Sequence, residues 1–136
     1  MYQITDSPAP VCYTTGTIYG GGGCAMAEDL KILQKLFDMM EYGYLALAQF
    51  PKSEKYALAT DIKRCMDDIL GYCIEAQKKY HKRTTLQNMD VELAKLRAYI
   101  RLSFNLKFLP PKKYEIWSEK VVEIGKMLGG WIKAVS

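Results

Sequence analysis

At 136 residues, with 49% hydrophobic and 25% charged positions, the chain has the length and composition of one soluble domain with a core of its own, and no room for a second. No stretch approaches the roughly 18 uninterrupted apolar residues that a bilayer span needs, and no charged segment followed by an apolar one opens the chain, so no membrane association is expected and the cytoplasm is the default address. The net charge of +4 is modest but unevenly spread: between Lys78 and Lys113 ten Lys or Arg face only Asp90 and Glu92, a local +8 that leaves the remainder net acidic. Such segregation favours a polyanionic or acidic partner on one part of the surface.

Residues 1–25 read as a flexible leader. Ser7-Pro8-Ala9-Pro10 is followed by threonines and tyrosines and then by Gly20-Gly21-Gly22-Gly23, a run that no regular helix sustains at about 1 kcal/mol per glycine. No Gly-Lys-Ser/Thr follows it and no apolar strand leads into it, which argues against a phosphate loop. Met26 opens a segment with the look of a natural N-terminus, so the first 25 residues can be read as an upstream extension.

Residues 26–136 read as the bundle domain. Leu30, Leu33, Leu36, Phe37, Met40, Tyr44 and Leu47 recur at three- and four-residue steps, which predicts a first helix from Glu28 ending before Pro51. Ser53 is the expected N-cap of a long second helix whose stripe is Tyr56, Ala59, Ile62, Met66, Ile69, Cys73 and Ile74, running toward His81. Lys82 to Thr85 make the turn. Leu86, Met89, Leu93, Leu96, Ile100 and Phe104 define a third helix closed by Pro110-Pro111, and Tyr114, Trp117, Val121, Ile124, Leu128, Trp131 and Val135 a fourth. Four such stripes joined by short turns bury themselves most simply as an all-α, up-down-up-down four-helix bundle.

Catalysis and metal binding find little support. The pairs Cys12/Cys24 and Cys65/Cys73 lack zinc-knuckle spacing, and His81 is the single histidine, so no metal or other cofactor is expected, and Cys65 and Cys73 read as small buried hydrophobes. The adjacent carboxylates Glu28-Asp29 and Asp67-Asp68 diverge by about 100° on a helix. Glu115, Glu119 and Glu123 do share a face, but Lys112, Lys120 and Lys126 lie within pairing distance in sequence and make it a solvated, ion-paired surface. A lone histidine offers no base for a nucleophile, and the expectation is a protein that is not an enzyme.

The basic residues are more informative. Arg97 and Arg101 stand four apart on the third helix, with no acid three or four residues from either. Their repulsion costs a few tenths of a kcal/mol unless a neighbouring helix or a ligand supplies negative charge, and internal carboxylates are the alternative to a ligand. Lys78, Lys79, Lys82 and Arg83 at the end of the second helix also complement its dipole. Lys107, Lys112 and Lys113 follow the third helix and belong at the opposite end of an antiparallel pair. With Lys95, Arg97 and Arg101 between the two groups, the implied geometry is a stripe that binds phosphates by charge, with strong salt dependence. On the fourth helix Ser118, Gly125 and Gly129 fall on one ridge. Helix glycines of that kind are expected to permit a tight contact, within the bundle or between subunits. Trp117 and Trp131 read as core fillers.

The run Asp90-Val91-Glu92-Leu93-Ala94-Lys95-Leu96-Arg97-Ala98-Tyr99-Ile100-Arg101-Leu102, then Lys113-Tyr114-Glu115, then Glu123-Ile124-Gly125-Lys126-Met127-Leu128-Gly129-Gly130-Trp131-Ile132-Lys133, resembles the accessory variability determinants of diversity-generating retroelements. Their superfamily of four-helix bundles also includes proteins encoded in intervening sequences of bacterial 23S ribosomal RNA genes. The resemblance covers Glu28 to Ser136. It implies a homo-oligomer, a pentameric barrel of bundles, whose basic surface associates with a reverse transcriptase and its template RNA, with DNA or an RNA–DNA hybrid as further candidates, in support of mutagenic copying and retrohoming. Through it Arg97 and Arg101 match the family's third-helix arginines, and Gly125, Gly129 and Trp131 its final-helix packing motif. The rival reading is a bundle of the ribosomal intervening-sequence type with an RNA-related or structural role.

Overall fold

Apolar side chains at three- and four-residue steps, with no β-favouring alternation between them, leave helices as the way to satisfy the backbone while burying one stripe each. A computed structural model describes residues 23–135, with side chains from residue 30 onward. Its elements are α1 (Gly23–Leu47), a single-turn α2 (Lys52–Lys55), α3 (Leu58–Lys78), α4 (Arg83–Asn105) and α5 (Pro111–Val135). No strand occurs among the described residues. The expected leader lies outside them except for its last three residues, which belong to α1. The chain divides between Lys31 and Ile32, and the packing that follows is that of the unit from Ile32 onward.

The four long helices form an up-down-up-down bundle. Cys65 meets Glu92 and Glu75 meets Thr85, so α3 and α4 run antiparallel, as do α4 and α5, where Leu93 faces Gly125 and Phe104 stacks on Tyr114. Met39 and Lys35 of α1 meet Trp117 and Glu123 of α5, and Lys63 of α3 lies over the Tyr44 ring of α1, which closes the circle. The core holds Leu36, Met39, Ile62, Met66, Ile69, Leu86, Met89, Leu96, Ile100, Trp117, Val121, Ile124 and Leu128, all buried. Each large member contributes about 1.5–3 kcal/mol by leaving water.

The second helix departs from expectation at its start. Ser53 is not its N-cap; it lies inside α2, and the chain breaks again before Leu58, whose N-cap Ala57 makes no side-chain bond. Thr60 donates its hydroxyl to the Lys55 carbonyl at 2.9 Å, satisfying an acceptor that the break would leave open. Tyr56, expected in the stripe, is 89% exposed as a result. The exit of α4 is regular: Lys107 takes φ 66°, its amide donates to Phe104 and that of Phe108 to Ser103, the paired bonds of a Schellman cap. Pro111 is the first residue of α5, where its missing N–H costs nothing.

The buried face of α1 is rotated from the expected one. Ile32, Leu36, Met39, Gly43, Ala46 and Leu47 are buried, followed by Phe50 just beyond the helix, while Leu30, Phe37 and Tyr44 are 53%, 41% and 48% exposed. The cause is Trp117. A Cβ on Gly43 would stand 2.8 Å from Trp117 Cζ2 and 3.0 Å from Met66 Sδ, and the indole N–H donates to Met39 Sδ at 3.4 Å. The only face of α1 that admits the ring is the one without a side chain at position 43. Gly43→Ala is therefore expected to lower stability by about 1–3 kcal/mol in urea unfolding. Gly71→Ala in α3, where nothing lies within 4 Å of the new methyl, should raise it by about 0.5–1 kcal/mol. Equal midpoints for the two variants would remove the indole from this role.

Candidate nucleic-acid interface

Positive charge reaches a ligand only where it is neither paired nor occupied in holding the fold, and the candidate cations divide on that test. At the α3–α4 turn Lys79 pairs with Glu75 at 2.6 Å, and the bond it donates holds the Glu75 carboxyl below its ordinary value. Thr85, the buried second residue after the α4 start, donates to the same carboxylate at 3.2 Å. Lys82 donates to the carbonyls of Ala76 and Lys79, both at 2.8 Å, so its ammonium caps the end of α3. Lys78 and Arg83 are exposed, with no carboxylate within 4.0 Å among the described residues.

Arg97 and Arg101 project from the outer surface of α4. Both are exposed, and among the described residues neither has a carboxylate within 4.0 Å. They follow Leu93 at four-residue steps, and Leu93 touches Gly125, so the arginines flank the α4–α5 seam. Lys95 is about 200° from Arg97 around the helix. It leans over the Tyr99 ring, 5.9 Å from the centroid, and belongs to the α3 side with Cys65, whose thiol feels its charge. The three residues thus occupy two flanks of α4 and do not form a single line.

The second group lies at the other end of the bundle, as the antiparallel arrangement requires. Lys107 occupies the left-handed cap position, Lys112 is exposed, and Lys113 is half-buried over Tyr42, 5.7 Å from the ring centroid. Lys120, absent from the sequence-based candidates, shares that ring at 5.7 Å. Two ammonium groups over one tyrosine ring are stabilised by the negative face of its quadrupole, and among the described residues neither has a carboxylate within 4.0 Å. Lys120 had been expected to pair along α5; instead, the pair formed by the acidic face is Glu123 with Lys35 of α1 at 3.1 Å. Only a contact between helices, seen in three dimensions, reveals the Tyr42 grouping.

The glycines of α5 behave differently from Gly43. A Cβ on Gly125 would meet only Leu93 Cδ2 at an ordinary 3.6 Å, and one on Gly129 or Gly130 would meet nothing within 4 Å. No close approach among the described residues requires them. Trp131, expected in the core, is half-buried.

Cys65 and Cys73 are buried. The Cys65 thiol donates to the Glu92 carbonyl at 3.3 Å; burial, assisted by the Glu92 carboxylate, pushes its pKa up to about 12. Such a thiol stays protonated at neutral pH, which suits a side chain that packs in the core. Among the described residues no group of three or more His, Cys, Asp or Glu is placed to hold a metal ion, and no helix is long and apolar enough to cross a membrane.

Fold and surface together define a small helical-bundle protein whose distinguishing feature is exposed, unpaired cations. A family model described as bAvd-like matches residues 30–135, and the chain belongs to that family, the one its third- and fourth-helix motifs resemble. No match was found among curated proteins.

The raised Cys65 pKa makes a pH prediction. Above about pH 9 an unfolded chain loses this proton while the folded one keeps it up to about 12, so folding stability should fall across that window. Cys65→Ala is expected to flatten this alkaline limb in urea midpoints measured from pH 8 to 11. An unchanged slope would show that the thiol is not protected.

Proposed function

We propose that this protein is a non-catalytic, cytoplasmic accessory factor of a diversity-generating retroelement, in which residues 26–136 form the working domain and residues 1–25 a leader. Its basic surface holds template RNA and the bundle docks a reverse transcriptase, whose polymerase chemistry supplies the reaction. The observation that carries this reading is the Arg97–Arg101 pair, exposed on α4 with no carboxylate within 4.0 Å among the described residues. Like charges four apart on a helix destabilise it slightly, and a phosphate backbone reverses the sign of that interaction. Lys78, Arg83, Lys95, Lys107, Lys112 and Lys113 extend the field, while Lys79 and Lys82 act mainly on the helix end they hold.

Self-association, as a pentamer, is part of the same reading. Phe37, Tyr44 and Leu45 are 41%, 48% and 64% exposed and, with Met40, Glu41 and Leu70, line an open apolar groove of about 490 Å³ between α1 and α3. A solvent-facing apolar strip of this kind marks a contact surface. Gly125, where an added Cβ would meet Leu93 at an ordinary distance, and Gly129, where it would meet nothing within 4 Å among the described residues, suit a second contact along α5, with Trp131 beside it.

Charge reversal at both arginines tests the RNA-binding part. The Arg97→Glu, Arg101→Glu protein should keep its helical circular dichroism but bind single-stranded RNA more weakly, with the slope of log K against log salt shallower by about 1.4, the loss of two phosphate contacts. Equal loss of helicity would make the arginines structural. For the assembly, light scattering should give about five times 15.5 kDa; a monomer at micromolar concentration removes the barrel.

A further inference from the structure

The end of the bundle where α1 and α4 finish carries a second concavity, of about 670 Å³, lined by Gln49, Phe104, Asn105, Lys107, Phe108 and Pro110 among others. Its chemistry is unlike that of the α1–α3 groove. Two aromatic rings bound it: Phe104, stacked on Tyr114 with centroids 4.3 Å apart and planes at 16°, and Phe108, held by Phe50 at 5.6 Å. Two primary amides, Gln49 and Asn105, stand at the rim on exposed residues. Each offers a donor and an acceptor side by side, the arrangement that complements the edge of a nucleobase.

The surrounding charge selects the rest of the ligand. Lys107 lines the pocket, Lys112 directly follows Pro111 of its lining, and Lys52 and Lys55, with Glu54, lie on the short α2 that begins three residues after Gln49. Lys107 is fixed in the left-handed cap by two backbone hydrogen bonds, so the pocket floor is set by helix capping and does not depend on a mobile loop. An apolar peptide or lipid chain would engage neither amide, which would stay bonded to water. An aromatic ring with a hydrogen-bonding edge and an attached phosphate satisfies all three features.

We infer that this pocket receives one unstacked base of single-stranded RNA, with Phe104 and Phe108 as the stacking surface, Gln49 and Asn105 reading the base edge, and Lys107 and Lys112 on the flanking phosphates. The inference rests on the RNA-binding reading above and adds a base contact to a surface otherwise limited to the backbone. Unpaired bases stacked on aromatic side chains are the usual means of holding single-stranded RNA.

The test uses the full chain and a single-stranded RNA decamer carrying 2-aminopurine, whose fluorescence is quenched by stacking. Wild-type protein should change the quenching on binding. Gln49→Ala combined with Asn105→Ala, two exposed positions off the core, should abolish that change and weaken binding about tenfold, with circular dichroism and the salt slope unchanged. Binding with the same fluorescence change and affinity in the variant overturns the pocket and leaves the charge-based RNA reading standing. Absence of any RNA binding by the wild type overturns both.

Discussion

The indole of Trp117 lies against a helix backbone that carries no side chain at Gly43, and most of the bundle's layout follows from that contact. It fixes the rotation of α1, because only one face lets a ring approach with its Nε1 on Met39 and its edge at position 43. The rotation in turn decides which apolar residues of α1 are buried. It also sets Tyr42 half-buried beside α5, where Lys113 and Lys120 lean on its ring. What remains outside, Phe37, Tyr44 and Leu45, is the apolar strip available to another molecule.

The same structure separates charges that hold the fold from charges that do not. Lys82 and Lys79 are drawn into the end of α3, where open carbonyls and Glu75 compensate them and where a cation also opposes the helix dipole. Salt bridges this exposed contribute little to stability, so their value is geometric: they set the α3–α4 turn. Arg97 lies well inside α4 and Arg101 about one turn before its end, and no carboxylate approaches them among the described residues. A run of lysines and arginines in sequence therefore contains two populations, distinguished by whether an open carbonyl or a carboxylate lies within reach: Lys79 and Lys82 find one at the end of α3, while Lys78 and Arg83 at the same turn have no carboxylate within 4.0 Å among the described residues.

The helix count, the proline-marked boundaries and the cores of α3, α4 and α5 were legible from spacing, because those helices carry one clear apolar stripe each. In α1 the stripe was misplaced, since Leu30, Phe37 and Tyr44 share the period with the truly buried Ile32, Leu36 and Met39. Periodicity gives a helix but not which of two apolar faces turns inward; that choice belongs to the partner, here Trp117. The break before Leu58 was hidden for a related reason, as Ser53 carries a capping side chain but the backbone closes a single turn around it instead. On the surface, arginines without local acids were visible as an electrostatic conflict in the chain. The Tyr42 grouping and the amide-rimmed pocket were not, because their members come from segments some 55 or more residues apart.

Two sequence features give up stability along one seam. Gly125 and Gly129 on α5 each cost about 1 kcal/mol relative to alanine in a helix interior; an added Cβ would meet Leu93 at an ordinary distance at position 125 and nothing within 4 Å at 129, so no close packing among the described residues offsets them. Along the same α4–α5 seam, but in the opposite direction from Gly129 because the two helices are antiparallel, Arg97 and Arg101 stand one and two turns beyond Leu93 and repel each other across the solvent. Elsewhere the local choices agree with the fold: Pro111 opens a helix, Lys82 caps one, and no buried side-chain polar atom among the described residues lacks a partner. Conflicts confined to one surface of an otherwise consistent bundle are the mark of a surface shaped by something outside the monomer. Gly129 and the two guanidinium groups extend in opposite directions from the Leu93–Gly125 contact, so a contact that used both would run along the seam, a length that a small ligand does not span.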